Sequence, residues 1–365
     1  MPRLLPAARA LALGVIVLLT GCSSTTAASP AATEPPCRSV THLSELTAEP
    51  LSAGPASACL SDEAIPTLPG SARPQLPVTL TDASGAEVTV SSLDRVITLD
   101  LSGTISATVI ALGLADRLVA RDSSSGYAEI ADLPVVTSGG HTLSVEPLLA
   151  LEPTLVITDG SIGPRSVLRQ LAETGVPVVF TSPDRSLEAS SELAVQVANA
   201  LGVPERGAAL AERIAQDTQA ARAEIDTLRQ SASPKALFLY LRGGGAIYYL
   251  FGAGSGADSL MQALGARDVA SEVGWAGMRP VTAEALVAAA PDVVFVMTDG
   301  LRSVGGVDGL LASIPALAQT PAGQQRRIID MADDEVLGFG PRSATVLRAL
   351  AQALYAPSSL SEPGA

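Results

Sequence analysis

The chain has 365 residues, with 23 basic against 37 acidic side chains and a formal net charge of −14. That balance argues against a nucleic-acid partner or an anionic membrane surface. Of its two histidines only His141 falls in the part expected to fold, which argues against a bare zinc or manganese carrier, whose ion needs several His and carboxylate ligands.

The first 22 residues carry Arg3 and Arg9, an apolar run from Leu11 to Leu19, and then Thr20-Gly21-Cys22. The run falls short of the roughly 20 apolar residues that cross a bilayer, so residues 1–21 are read as a secretory signal. Leu19-Thr20-Gly21-Cys22 resembles a bacterial lipobox, in which Cys22 is lipidated and becomes the new N-terminus. An ordinary cleaved signal is the alternative. Without Arg3 and Arg9 the mature chain keeps 21 basic residues against 37 acidic ones, a net charge of −16. Residues 22–75 are expected to hold the lipidated Cys22, a flexible tether rich in small residues and proline, and a segment containing Cys37 and Cys59. An oxidising compartment favours pairing these two cysteines ahead of the main fold; two free thiols is the alternative.

From about Leu76, apolar runs alternate with helical patterns. Residues 78–90 read as a hairpin around Ser84-Gly85, 95–100 as a strand and 105–114 as a helix ending at Gly113. Strands over 117–121, 154–158 and 176–180 then alternate with helices over 145–152 and 166–175. Such alternation predicts an α/β lobe with a largely parallel sheet, spanning 76–185. Residues 186–232 follow as interlobe helices. Pro204 suits a first helical turn, and the uninterrupted pattern to 230 would give a rigid strut of about 40 Å. Two lobes on such a strut should rock rather than swing.

A second lobe over 233–356 opens with a strand at 235–241 and continues with helices at 256–265 and 282–290 and strands at 292–298 and 326–331. Residues 357–365 read as a disordered tail. The lobes repeat a signature: Glu146 precedes Pro153 by seven residues and Glu284 precedes Pro291 by seven, each ahead of a strand ending Thr-Asp-Gly. This self-similarity predicts an α/β fold of two similar Rossmann-like lobes joined by a long rigid helix. Each glutamate follows a candidate N-cap, Ser144 or Thr282, and would complement a helix dipole.

His141 stands behind Gly139 and Gly140 in a loop just before a helix start, where α/β lobes bind ligands. Alone, it fits a surface histidine equally well. Tyr240 and Arg242 lie two apart at the end of a strand that runs into Gly243-Gly244-Gly245, so they share one face. A phenol is a poor ligand at neutral pH, but ferric iron and an adjacent guanidinium both favour its anionic form. The bland alternative is an ordinary strand end. There is no G-x-S-x-G elbow, P-loop or H-E-x-x-H motif, so no enzyme class is supported.

The lipobox, the tether, the stretch DASGAEVTVSSLDRVITLDLSGTISATVIALGLADRLVARD, the VEPLLALEPTLVI block and the long interlobe helix together resemble the substrate-binding lipoproteins of ABC importers for iron-siderophores, cobalamin and haem. The resemblance covers about residues 76–356 and is strongest to the haem-binding (HmuT-type) lipoproteins of Gram-positive actinobacteria. It implies a monomeric carrier, lipid-anchored on the outer face of the cytoplasmic membrane, that takes haem in the cleft between lobes for iron acquisition. It further implies His141 and Tyr240 as axial iron ligands, Arg242 as the hydrogen-bond partner of Tyr240, and Glu146 and Glu284 as contacts to a permease that works with its own ATPase. Trp275, Met278, Tyr248 and Tyr249 are candidate porphyrin walls, and the glycine-rich stretch 251–258 is a candidate source of N–H groups for an anion. A ferric-siderophore or cobalamin carrier of the same fold is the alternative reading.

Overall fold

The computed structural model describes residues 38–360 apart from 52, 230, 231 and 246. The expected signal peptide and tether, with Cys22 and Cys37, lie outside the described residues, while Cys59 is disulfide-bonded. Among the described residues no helix is long and apolar enough to cross a membrane.

The first sheet has four parallel strands in the order 118–120, 96–99, 155–158 and 178–180. Strands Val96–Leu99 and Leu155–Thr158 are buried along their whole length. They are apolar without alternation because both faces are covered: Val96, Leu155 and Ile157 pack into one core, and Ile97, Leu99 and Val156 into another. The second sheet has seven strands. Its parallel part runs 56–57, 328–331, 293–297 and 235–242; strands 247–251 and 278–280 then add antiparallel, and 267–268 pairs beside the start of 235–242. The expected two-lobe α/β architecture is present.

The repeat seen in the sequence has a backbone counterpart. Glu146 and Glu284 sit in the first turns of helices Val145–Leu149 and Ala283–Ala289, each of which leads into a central parallel strand. The residues just before Pro153 and Pro291, Glu152 and Ala290, both adopt the left-handed conformation, with φ of 45° and 43°. A non-glycine residue rarely does so, and here it happens twice at matching positions.

Helix Pro204–Arg229 is the expected strut: 26 residues, or about 39 Å. Its buried residues Gly207, Leu210, Ile214, Thr218, Ala221, Ile225 and Leu228 recur every three or four positions and form one stripe. Leu210 and Ile214 join the core of the first lobe, whereas Ala221, Ile225 and Leu228 join that of the second. Gly207 allows the close approach of helix Ser190–Ala200, since a Cβ there would lie 2.4 Å from that of Ala198.

The N-terminal segment is more integrated than its polar composition implies. Leu43, Ala58 and Leu60 are buried in the core of the second lobe, and Ala56–Ser57 extends its sheet. Ile65 then enters the core of the first lobe. His42 thus belongs to the folded part, with its ring 3.4 Å from Glu224. At the other end, Pro357–Leu360 forms a 3₁₀ turn, so the expected tail begins no earlier than residue 361.

Glu224 ties three elements together. It accepts from Arg348 Nε and Nη2 at 3.1 and 2.8 Å and from the Leu43 N–H at 2.9 Å. Burial alone would raise its pKa, but the Arg348 and Leu43 bonds win and hold the carboxyl down at about 2. A depressed carboxylate stabilises the fold above its ordinary titration range and loses that contribution as pH falls. Glu224→Gln should therefore cost about 2 kcal/mol at neutral pH in denaturant unfolding. The difference from the wild-type protein should shrink as pH falls from 4.5 towards about 2.

Candidate functional site

The ends of the first lobe's parallel strands hold three carboxylates, Asp100, Asp122 and Asp159, all buried. Asp100 accepts from the N–H groups of Thr104 and Ile105 at 3.0 and 3.1 Å and so satisfies the start of helix Thr104–Ala111, whose N-cap is the left-handed Gly103. Asp122 accepts from the Asp100 N–H and from the backbone and hydroxyl of the following serines, Ser124 and Ser125. Arg185 Nη2 lies 2.7 Å from Asp159 and 3.8 Å from Asp100. Burial, and then the Asp100 charge, pushes Asp122 up to about 7.

These bonds fix the platform on which His141 is carried. Thr137–Ser138 and Thr142–Leu143 form a small antiparallel hairpin, with Gly139 and Gly140 at φ 54° and 92° in its turn. Both angles lie in the region that favours glycine. Ser123, beside Asp122, donates its N–H to Thr137 Oγ1 at 3.0 Å and its hydroxyl to the Gly140 carbonyl. His141 thus stands exposed at the tip of a braced hairpin.

Strand Lys235–Arg242 places Tyr240 and Arg242 on one face, as expected. Its antiparallel register sets Tyr249 opposite Tyr240 and Ile247 opposite Arg242, while the next strand sets Met278 opposite Phe251. The half-buried Tyr240 ring stacks with Phe251, centroids 6.0 Å apart, and the Arg242 guanidinium carbon lies 4.8 Å from its centroid. Arg242 does not donate to the phenol oxygen, contrary to expectation: it donates to Asp333 Oδ2 at 2.7 Å and to the Leu241 carbonyl at 3.1 Å. Although His141 is exposed as a residue, partial desolvation of its ring and then the Arg242 charge push the imidazole below its ordinary pKa.

The four candidate wall residues divide between the two faces of the sheet, three by strand register and Trp275 by its packing. Tyr249 and Met278 stand on the Tyr240 face, Met278 being 60% exposed and Ile247 beside them 38% exposed. Tyr248 and Trp275 pack against the core on the other face of the sheet and do not belong with them. Ile247 and Asp333 were missed; the register of strand 247–251 signals the first, and Asp333 had no local signal. The glycine-rich stretch is not open to an anion, because Asp258 takes the N–H groups of Gly254 and Gly256 at 2.8 and 3.0 Å. Glu146 and Glu284 are both exposed. Thr282 caps its helix through a bond to the Ala285 N–H, but the Ser144 side chain makes no cap bond. Among the described residues no group of three or more His, Cys, Asp and Glu side chains is placed to hold a bare ion.

The lobes meet near this site. Arg342 of the second lobe stacks over Tyr127 of the first at 4.8 Å and donates to the Glu63 carbonyl at 3.1 Å. At Gly126 a Cβ would come within 2.5 Å of the Asp334 carboxylate, so the opposing loops are in close contact.

Comparison with known proteins gives a consistent relationship. The periplasmic binding protein family model matches residues 99–335. A crystal structure of haem-binding protein HmuT is 40% identical, with a TM-score of 0.79, covering 84% of this chain and 98% of that one. Further crystal structures of haem-binding protein HmuT are of H141A, Y240A and R242A variants, at 39–40% identity. The periplasmic haem-binding protein RhuT from Roseiflexus sp. RS-1 is 39% identical, with a TM-score of 0.67, covering 73% of this chain and 99% of its own. Among curated proteins, the vitamin B12-binding protein of Yersinia pestis is 32% identical over 149 residues, which is 40% of this chain. The chain spans about half the length of the curated relatives it matches.

Arg185 neutralises two buried carboxylates at once. Arg185→Ala should cost about 3–5 kcal/mol in denaturant unfolding, because it leaves buried charge uncompensated.

Proposed function

The chain belongs to the periplasmic binding protein family, and we propose from that premise that it captures ferric haem in the cleft between its lobes and delivers it to an ABC importer permease for iron acquisition. The observation that supports this reading is the Arg242 guanidinium seated 4.8 Å from the centroid of the Tyr240 ring in the second lobe, with the Arg242 charge also acting on His141 of the first lobe. Tyr240 supplies its phenol oxygen to the iron, with the Arg242 guanidinium lying over its ring. His141, held neutral, offers a ring nitrogen from the opposite side. Met278, Tyr249 and Ile247 give the porphyrin an apolar wall on the Tyr240 face. Two axial ligands close the iron to water and peroxide, which suits a carrier and not a catalyst. Support also comes from the HmuT variants: the residue types substituted there are those at positions 141, 240 and 242 of this chain.

Delivery rests on Glu146 and Glu284, exposed at equivalent points of the two lobes, each able to meet an arginine on the permease. In this reading Cys22 carries the lipid that keeps a monomeric protein at the outer face of the membrane, and Cys37 pairs with Cys59. Cobalamin is the second reading, favoured by the Yersinia relative. It has no use for paired axial ligands from opposite lobes.

Titration of the purified protein with ferric haem, followed by absorption spectroscopy, tests the proposal. Saturable binding with a six-coordinate spectrum is expected. Tyr240→Ala should weaken binding more than His141→Ala, since the phenolate supplies the anionic bond to ferric iron. Equal losses would reject that ordering, and cobalamin binding without haem binding would replace the haem reading. Glu146→Ala and Glu284→Ala should leave the titration unchanged but lower haem uptake by whole cells.

A further inference from the structure

Arg242 is held by a seat that the haem reading does not by itself require. Its Nη2 donates to Asp333 Oδ2 at 2.7 Å, while Oδ1 of the same carboxylate accepts from the Asp299 N–H at 3.0 Å, in the first turn of helix Thr298–Ser303. Asp333 is thereby fixed from behind, and both of its oxygens are engaged. The second guanidinium nitrogen, Nη1, donates to the Leu241 carbonyl at 3.1 Å. Gly300 leaves the room for this: a Cβ there would lie 2.7 Å from the Leu241 carbonyl oxygen and 3.3 Å from Nη1. The seat joins three separate parts of the second lobe, namely strand 235–242, helix 298–303 and the loop after strand 328–331.

We propose that Asp333 is a positioning residue, which holds the Arg242 guanidinium over the Tyr240 ring and so sets how tightly Tyr240 binds the iron of haem. The proposal rests on the haem reading of the site. Arg242 and Asp333 are 37% and 23% exposed, so their ion pair adds little to the stability of the fold. Its effect is on geometry. An unseated arginine samples many rotamers, and few of them would put the charge beside the phenol.

The experiment compares the full-length wild-type protein with Asp333→Ala, Arg242→Ala and the double variant. In the haem-free protein, NMR of arginine Nε–H groups, with Arg242 assigned by its loss in Arg242→Ala, reads whether the guanidinium is fixed. The Arg242 signal is expected to be resolved in the wild-type protein and averaged in Asp333→Ala. In a ferric-haem titration, Asp333→Ala should bind about tenfold more weakly, the effect typical of an outer-shell partner of a metal ligand. The double variant should bind no more weakly than Arg242→Ala alone. Losses that multiply in the double variant, or an unchanged Arg242 signal in Asp333→Ala, would overturn the proposal. Gly300→Ala, which crowds the same seat, gives a second route should Asp333→Ala not fold, with the same averaged signal and weakened binding expected. Failure of the wild-type protein to bind haem overturns the reading of the site, whereas the arginine signal decides the positioning role by itself.

Discussion

The structure depends on one stripe of side chains along helix 204–229, because that stripe is shared. Leu210 and Ile214 complete the core of the first lobe, and Ala221, Ile225 and Leu228 complete that of the second. Neither end can leave its lobe without opening a cavity, so the spacing of the lobes is set by the rise of an α-helix and not by a linker. Such a spacer holds the two lobes at a fixed separation.

The two halves of the site are braced in different ways. His141 is carried by a short hairpin whose position depends on a buried carboxylate, through Asp122 and the serine beside it. Tyr240 is carried by a long strand in the middle of a sheet, with its ring held between Phe251 and Arg242. The second half is the more rigid, because eight residues of paired strand support it.

Much of the fold was legible because its strands are continuous apolar runs bounded by glycine and proline, and because the Glu-to-Pro spacing repeats. The backbone at Glu152 and Ala290 gives that repeat a structural cause. What escaped notice was set by distant contacts. The two-residue strands around His141 are too short to show a period, and isolated Leu43 and Leu60 gave no sign that they complete a core nearly 300 residues away. Helix Ser343–Tyr355, which packs against the strut, ran unremarked in an alanine-rich stretch. Of the site residues, Tyr240 and Arg242 were readable from strand parity. The same parity, applied to strand 247–251, separates Tyr249 from Tyr248, but it needs the register to be known. Asp333 could not have been found this way, since its relation to Arg242 comes from a loop closing over a strand from another part of the lobe.

The short strand Ala56–Ser57 has a further consequence. Both sheets end in strands of two or three residues: 56–57 and 278–280 in one, 118–120 and 178–180 in the other. Pro280 removes one more N–H from the second of these borders. A neighbouring copy therefore finds no long row of unpaired backbone to add to, and β-addition between molecules is suppressed. The N-terminal segment thus borders the second sheet with a strand of only two residues, while Leu43 and Leu60 on either side of it fill the core below.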